Sequence, residues 1–580
     1  MEVVASPQAR NRSICTTSAS GRGGRHRWRT SPSPHTVTYA HLRETVEGKG
    51  SDGVRAYQQL ENGVSLDGLL AVHVRADHEE VPVKPRSHPV LGITLATSAL
   101  ATCVAVVAPP ASASAQDRGA LVSGVSQAAQ KASKRPNILM ITADDATQAD
   151  LAYMPKTRRL IANQGTTLTS GIAPTPICVP ARATLMTGQY AASHGALSIS
   201  GPYGGAASFM DRETLPVWLR RAGYDTVFVG KYLNGYGTHT TQRYVPPGWS
   251  NWQGSAAATY NYSTTVINDN GRLERRKRYQ TDEFARRTNE KINAKSSNKK
   301  PWYMWVNYVA PHHGGPRDPD DPETWKDVLA KDVVKSPSPA KRHRNTFRLV
   351  NLPNKPNMMR VHPDKIFPRS ATPRSATGRR AMRESYQQRL ESLLAVDEAV
   401  ASHIRALKKT RQLSRTIVMF SSDNGYFNGE HNLSGKLFWY EESLKVPMTL
   451  RGPGIPKGKK VSTPVTNADI PVTWAAIAHA RPTRTVDGVD FRPYLKRGEV
   501  SRTIPLSGWP HHTGPTKPDP LYTGVRVDNQ WTYVNFRGHE ELFDLVSDPY
   551  QLSNLAKNPS YAARLNELRE TNERINEAAQ

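Results

Sequence analysis

Asn137-Ile138-Leu139-Met140-Ile141-Thr142 is followed, one alanine later, by Asp144-Asp145. A short, almost wholly apolar run of this kind reads as a strand buried on both faces of a sheet. The two acids place hard oxygen donors where that strand leaves the sheet. Trp302 to Ala310 is a second such run and leads into Pro311-His312. Thr416 to Phe420 is a third, leading into Ser421-Ser422-Asp423-Asn424. Between the last two lies an amphipathic helix with Tyr386, Leu390, Leu393, Leu394, Val400, Ile404 and Leu407 on one stripe, spaced for packing against a sheet. Strands alternating with helices predict an α/β fold with the sheet between helices. Ligands of such open sheets bind outside the carboxyl ends of the strands, so three polar strand ends predict one shared site.

Composition narrows the partners. The chain has 580 residues and a formal net charge of +27, of which residues 1–115 carry only +3. A body this basic suits anionic partners, among which charge alone does not choose: nucleic acid, a polyanionic glycan or an acidic surface. The three cysteines are Cys15, Cys103 and Cys178, with no C-x-x-C pair, which excludes zinc ribbons and dithiol redox centres.

Cys178-Val179-Pro180-Ala181-Arg182 sits between Pro174-Thr175-Pro176 and Ala183-Thr184-Leu185-Met186-Thr187-Gly188. Other blocks fall in order around it: RPNILMITADD from Arg135, GKYLNGYG from Gly230, APHHGGP from Ala310, SSDNGYFNGEHNLSGK from Ser421, YEESLKVP from Tyr440 and ELFDLVSDPYQLSNLA from Glu541. Taken together they resemble the type I, formylglycine-dependent sulfatases, from about Arg135 to the C-terminus. The Gly-Lys-Tyr-Leu-Asn block resembles the N-acetylglucosamine-6-sulfatase and heparan sulfatase branch.

The resemblance implies an alkaline-phosphatase-like α/β/α sandwich with a smaller C-terminal α+β subdomain. It implies hydrolysis of sulfate esters, with a sulfated carbohydrate favoured by the basic body and no nucleic acid as partner. Cys178 would be oxidised to formylglycine by a separate formylglycine-generating enzyme. A hydrated aldehyde offers two hydroxyls on one carbon: one attacks sulfur, and the other then loses its proton and expels sulfate. Asp144, Asp145, Asp423 and Asn424 match the family's ligands for one calcium ion, with magnesium as the alternative, and residue 178 completes the set. Arg182 would stabilise the formylglycine hydroxyl, and Lys231 and Lys436 would bind nucleophile and sulfate. His312, in preference to His313, would protonate the leaving alcohol.

Two positions depart from the family's pattern. Ala181 stands where serine is more common. Leu233 stands where many arylsulfatases carry a histidine two places after the motif lysine, and His431 is read either as its replacement or as a structural hydrogen-bonder. A phosphonate or phosphodiester hydrolase of the same superfamily is the competing enzyme, although Asp423-Asn424 replaces the Asp-His step of two-zinc phosphatases. A non-catalytic, secreted polyanion-binding protein is the competing non-enzyme.

Lys84, Arg86, the mild apolar run Val90 to Ala108 and Ala113-Ser114-Ala115 read as a signal peptide over residues 81–115, since a basic start, an apolar centre and a small-residue cleavage pattern follow in order. That predicts a secreted or cell-surface protein without a stable membrane anchor. Residues 1–80 then read as a mis-called or disordered extension and 116–134 as a linker. Residues 135–500 form the catalytic domain, with a basic, proline-rich insertion at 314–380, and 501–580 form the C-terminal subdomain.

Overall fold

The computed structural model describes residues 135–297, 300–318, 334–362, 364–365, 375–496 and 499–578. The predicted extension, signal peptide and linker lie outside the described residues, as does part of the 314–380 segment. Among the described residues no helix is long and apolar enough to cross a membrane.

A ten-stranded sheet organises the chain. Its strands are β1 (Asn137–Asp144), β2 (Thr166–Leu168), β3 (Asp225–Gly230), β4 (Asn251–Ala257), β5 (Thr265–Asp269), β6 (Arg272–Arg276), β7 (Trp302–Pro311), β8 (Thr416–Ser422), β9 (Met448–Arg451) and β10 (Lys459–Val461), in spatial order β10-β2-β9-β8-β1-β7-β3-β4-β5-β6. The central block β8-β1-β7-β3-β4 is parallel throughout. Ile138 of β1 pairs with Tyr303 of β7 on one side and Ile417 of β8 on the other. All five carboxyl ends therefore face the same way.

Helices α1 (Cys178–Thr187), α2 (Leu215–Arg221) and α5 (Asp469–Ala478) lie on one face of the sheet, and α3 (Gln280–Ala294) and α4 (Ala376–Lys409) on the other. Successive side chains of a strand point to opposite faces. Ile138 and Met140 accordingly join Leu185, Trp218 and Trp474, whereas Leu139 and Ile141 join Phe284, Leu393 and Val400. Both faces of β1 are covered, which is why its sequence is apolar without alternation. This is the predicted sandwich.

The helix read from its apolar stripe is α4, and all seven stripe residues except the half-exposed Leu394 are buried. Ala376 already belongs to it, so the helix starts inside the stretch read as an insertion, and Val334 and Met359 of that stretch form a small apolar cluster with Met382 of α4. A four-stranded antiparallel meander, Thr503–Gly508, Tyr522–Val527, Trp531–Phe536 and His539–Asp544, follows the main sheet and carries α6 (Ala562–Ala578). It is the predicted small C-terminal subdomain. Its Leu506, Tyr522 and Phe543 pack with Trp439 and Tyr440 of the segment after β8.

Candidate active site

β1, β3, β7 and β8 end side by side in Asp144, Gly230, Pro311 and Ser422. Each hands its next residues to one buried cluster. Cys178 enters as the first residue of α1, and Arg182 follows one turn later on the same side of the helix. Residues four apart on a helix lie one above the other, so the C-x-P-x-R spacing delivers thiol and guanidinium together.

The Cys178 Sγ lies 3.2 Å from Lys436 Nζ, 3.7 Å from Lys231 Nζ and 3.7 Å from Asp144 Oδ1. Arg182 donates Nε to Asp423 Oδ2 at 2.8 Å and a terminal nitrogen to Asp144 Oδ2 at 3.0 Å. Its other terminal nitrogen caps the Lys231 and Tyr232 carbonyls. Lys231 is paired with Asp144, and Lys436 with Asp145 at 2.5 Å. His312 Nδ1 sits 2.8 Å from the His313 carbonyl oxygen. That contact sets the tautomer and leaves Nε2 facing Asp145 Oδ2 at 3.8 Å. Every residue predicted for the site is thus in one cluster, and all of them are buried.

Both lysines follow a glycine in the left-handed region, Gly230 at φ 108° and Gly435 at φ 102°. A Cβ on Gly230 would also stand 2.0 Å from the Asn307 carbonyl oxygen. Glycine is therefore required where the chain turns Lys231 inward. Asp145 adopts φ 73° without that freedom. Strain of this kind persists where the surroundings over-determine it.

Burial pushes the Cys178 thiol up to about 12, against the opposing pull of Lys231 and Lys436. Burial would also raise Asp144, but Lys231 and Arg182 outweigh it and hold that carboxyl well below the ordinary range. Asp423 goes the other way, to about 6, because burial is reinforced by Asp144 next to it. Burial lowers His312 well below an ordinary imidazole, with Asp144 opposing.

Asp144, Asp145 and Asp423 offer carboxylate oxygens that all lie within 4.8 Å of one another. Asp145 Oδ2 and Asn424 Oδ1 are buried and make no hydrogen bond among the described residues. Unmet buried acceptors beside three clustered carboxylates fit a hard divalent cation, which prefers oxygen ligands.

Two participants, Tyr260 and Arg389, are absent from the sequence reading. Tyr260 stacks on His312 at 4.6 Å between ring centroids and takes the Lys231 ammonium 4.9 Å from its own. Its hydroxyl accepts from Asn234 Nδ2 at 3.1 Å. Arg389, from the middle of α4, donates to the Asp145 and Pro311 carbonyls and stacks 3.8 Å over Tyr426. It ties the ends of β1 and β7 together from below. An arginine inside an apolar stripe, one residue before Leu390, was the available clue. His431 is engaged elsewhere: its nitrogens face Asn357 and Glu442 on one side and Lys365 on the other.

A mixed sheet whose parallel central strands end at a buried thiol, clustered carboxylates and buried cations is suited to the hydrolysis of anionic esters. The chain belongs to the sulfatase family, whose pattern matches residues 136–480. Residues 429–578 match the C-terminal region of N-sulphoglucosamine sulphohydrolase. An arylsulfatase of Volvox carteri is 28% identical over 487 residues, covering 75% of this chain and 74% of that protein. An N-acetylglucosamine-6-sulfatase of Capra hircus is 29% identical over 497 residues, covering 76% and 84%. In fold the chain is similar to a solved structure in complex with its substrate D-glucosamine-2-N,6-O-disulfate, with a TM-score of 0.60 and 21% identity over 77% of this chain and 98% of that one. The protein is a sulfuric ester hydrolase.

Proposed function

We propose that this enzyme removes sulfate from a sulfated carbohydrate, with residue 178 as nucleophile after oxidation of the cysteine to formylglycine. The observation that carries the reading is the position of Cys178. It opens α1 within 3.7 Å of two ammonium groups and a carboxylate that also belongs to the acidic cluster. A thiol buried there with its ionisation suppressed is a poor nucleophile, and a hydrated aldehyde would supply an attacking hydroxyl and a route to release sulfate.

Asp144, Asp145, Asp423 and Asn424 would hold one calcium or magnesium ion, which would polarise a sulfate oxygen. Arg182 is fixed by two carboxylates and two carbonyls, so it stabilises charge at residue 178 without reorganising. Lys231 and Lys436 flank the same atom and neutralise a bound sulfate, an electrostatic contribution realised in a buried, low-dielectric site. His312 keeps Nε2 toward the site; when that nitrogen takes up a proton, it would pass it to the departing alcohol oxygen.

The basic body and the relatives that act on sulfated glucosamine support a sugar substrate. The segment 81–115 supports export, with 135–500 as catalytic domain, 501–580 as C-terminal subdomain and a separate formylglycine-generating enzyme acting before folding closes the site. Peptide mass spectrometry of exported protein, combined with turnover of N-acetylglucosamine 6-sulfate and p-nitrophenyl phosphate, tests the whole. A free thiol at 178 in fully active enzyme, or a dominant phosphatase rate, overturns it.

A further inference from the structure

Relatives with a histidine two places after the motif lysine have a polar group that this chain lacks. Leu233 is 4% exposed and packs with the apolar residues around α1 and α2, so it offers nothing to the site. His431 is held by Asn357, Glu442 and Lys365. The side chain that does lie against the site lysine is Tyr260, from the loop after β4.

The Tyr260 ring makes two contacts with the cluster. Lys231 Nζ stands 4.9 Å from its centroid, and the His312 imidazole stacks on it at 4.6 Å with 27° between planes. Its hydroxyl bonds to Asn234, three residues after Lys231 in the same turn. Lysine ends a flexible four-carbon stem. Asp144 fixes the ammonium on one side, and an aromatic face attracts it from another. We propose that Tyr260, held in place by Asn234, is a positioning residue that substitutes for the absent histidine: it aligns Lys231 on residue 178 and keeps the His312 ring turned with Nε2 toward the site. The proposal rests on the sulfatase reading given above.

Asn234 adds an independent argument. Its Oδ1 is buried and makes no hydrogen bond among the described residues. An unmet buried amide oxygen costs stability, and replacing both partners of a hydrogen bond by apolar groups of like shape is close to neutral. A pair kept for folding alone would gain little from being polar. One kept for orientation loses turnover when its polarity is removed.

The test uses enzyme whose residue 178 is verified as formylglycine by mass spectrometry, assayed on N-acetylglucosamine 6-sulfate and p-nitrophenyl sulfate. Tyr260→Phe keeps the ring and deletes the hydroxyl, which bonds Asn234 and also faces Lys231; Asn234→Leu deletes only the tie between the two. Each lowers kcat about 10-fold with KM within about twofold, and the double variant is no slower than the slower single one, as for residues acting as a unit. Tyr260→Leu, which also removes the ring, lowers kcat about 100-fold. Melting temperatures of Tyr260→Phe and Asn234→Leu stay within about 3 °C of the parent. Wild-type kcat in both conservative variants, or losses that multiply in the double variant, overturn the proposal while leaving the sulfatase reading intact. A parent enzyme with verified formylglycine and no turnover of either ester overturns both.

Discussion

Two buried clusters of charge flank the segment that follows β8, built from similar residue types and put to different use. One gathers Asp144, Asp145 and Asp423 with Arg182, Lys231, Lys436 and Cys178. The other gathers Glu430 and Glu442 with Lys355, His431 and Lys365. In the second, Lys355 bonds Glu430 at 2.6 Å, His431 meets Glu442 at 3.3 Å and lies flat on Tyr440 at 4.1 Å, and Lys365 sits over the same Tyr440 ring. Oppositely charged partners and aromatic faces close it on itself. In the first, three carboxylates converge on one spot and the Cys178 thiol stands among the cations. The second cluster pairs opposite charges with aromatic faces, whereas the first sets three carboxylates side by side at a thiol, an arrangement that costs stability and suits the proposed chemistry.

Substitutions sharpen this contrast. Cys178→Ala should reduce sulfate-ester turnover by about 10⁴-fold or more while the melting temperature holds, because the nucleophile leaves and the packing stays. A variant that keeps a tenth of parental kcat would break the distinction.

Glu442→Gln should do the reverse. It weakens the tie to His431 and Lys355 and should cost about 2 kcal/mol in denaturant unfolding, discounted from a fully buried pair because Lys355 is partly exposed. The kcat per folded molecule should stay within about twofold. A large kcat loss at unchanged stability would move this cluster into the active site.

The smallest effect is on the acid limb of stability. Burial, aided by Lys365, lowers His431 to about 4. The unfolded chain therefore takes up a proton between about 6.5 and 4 that the folded chain refuses, so stability falls as pH drops through that window. Replacing the ring by His431→Gln should flatten that part of the pH–stability curve, read by thermal melts at pH 7, 5.5 and 4.5. An unchanged slope would mean that His431 is not held neutral.

Both clusters draw on motif blocks visible in the sequence, but only one declared its use. Asp144-Asp145 and Asp423-Asn424 were legible because each ends an apolar run, and a run of that length ties its last residues to a strand end. Cys178 and Arg182 were legible through the resemblance of their block to the sulfatase motif, and the structure adds that one helical turn separates them. Gly429-Glu430-His431 looked equally chemical, and nothing local shows that Asn357, Lys365 and Tyr440 come from afar to enclose it. The choice of His312 over His313 became geometric only when the Nδ1 contact with a carbonyl left Nε2 to the site.

Hydrophobic periodicity, which acts over a few residues at a time, determined the α/β fold and the strand-end site; the sandwich and the charged residues Arg182, Lys231, His312 and Lys436 came from the resemblance of the motif blocks. Tertiary structure alone decided that Tyr260 and Asn234 stand beside Lys231, that Arg389 reaches up from α4, and that His431 turns away. Apart from Asn234, three residues beyond Lys231, these are contacts between distant single residues. They follow from how helices and loops settle on the sheet, and no short stretch of sequence encodes that.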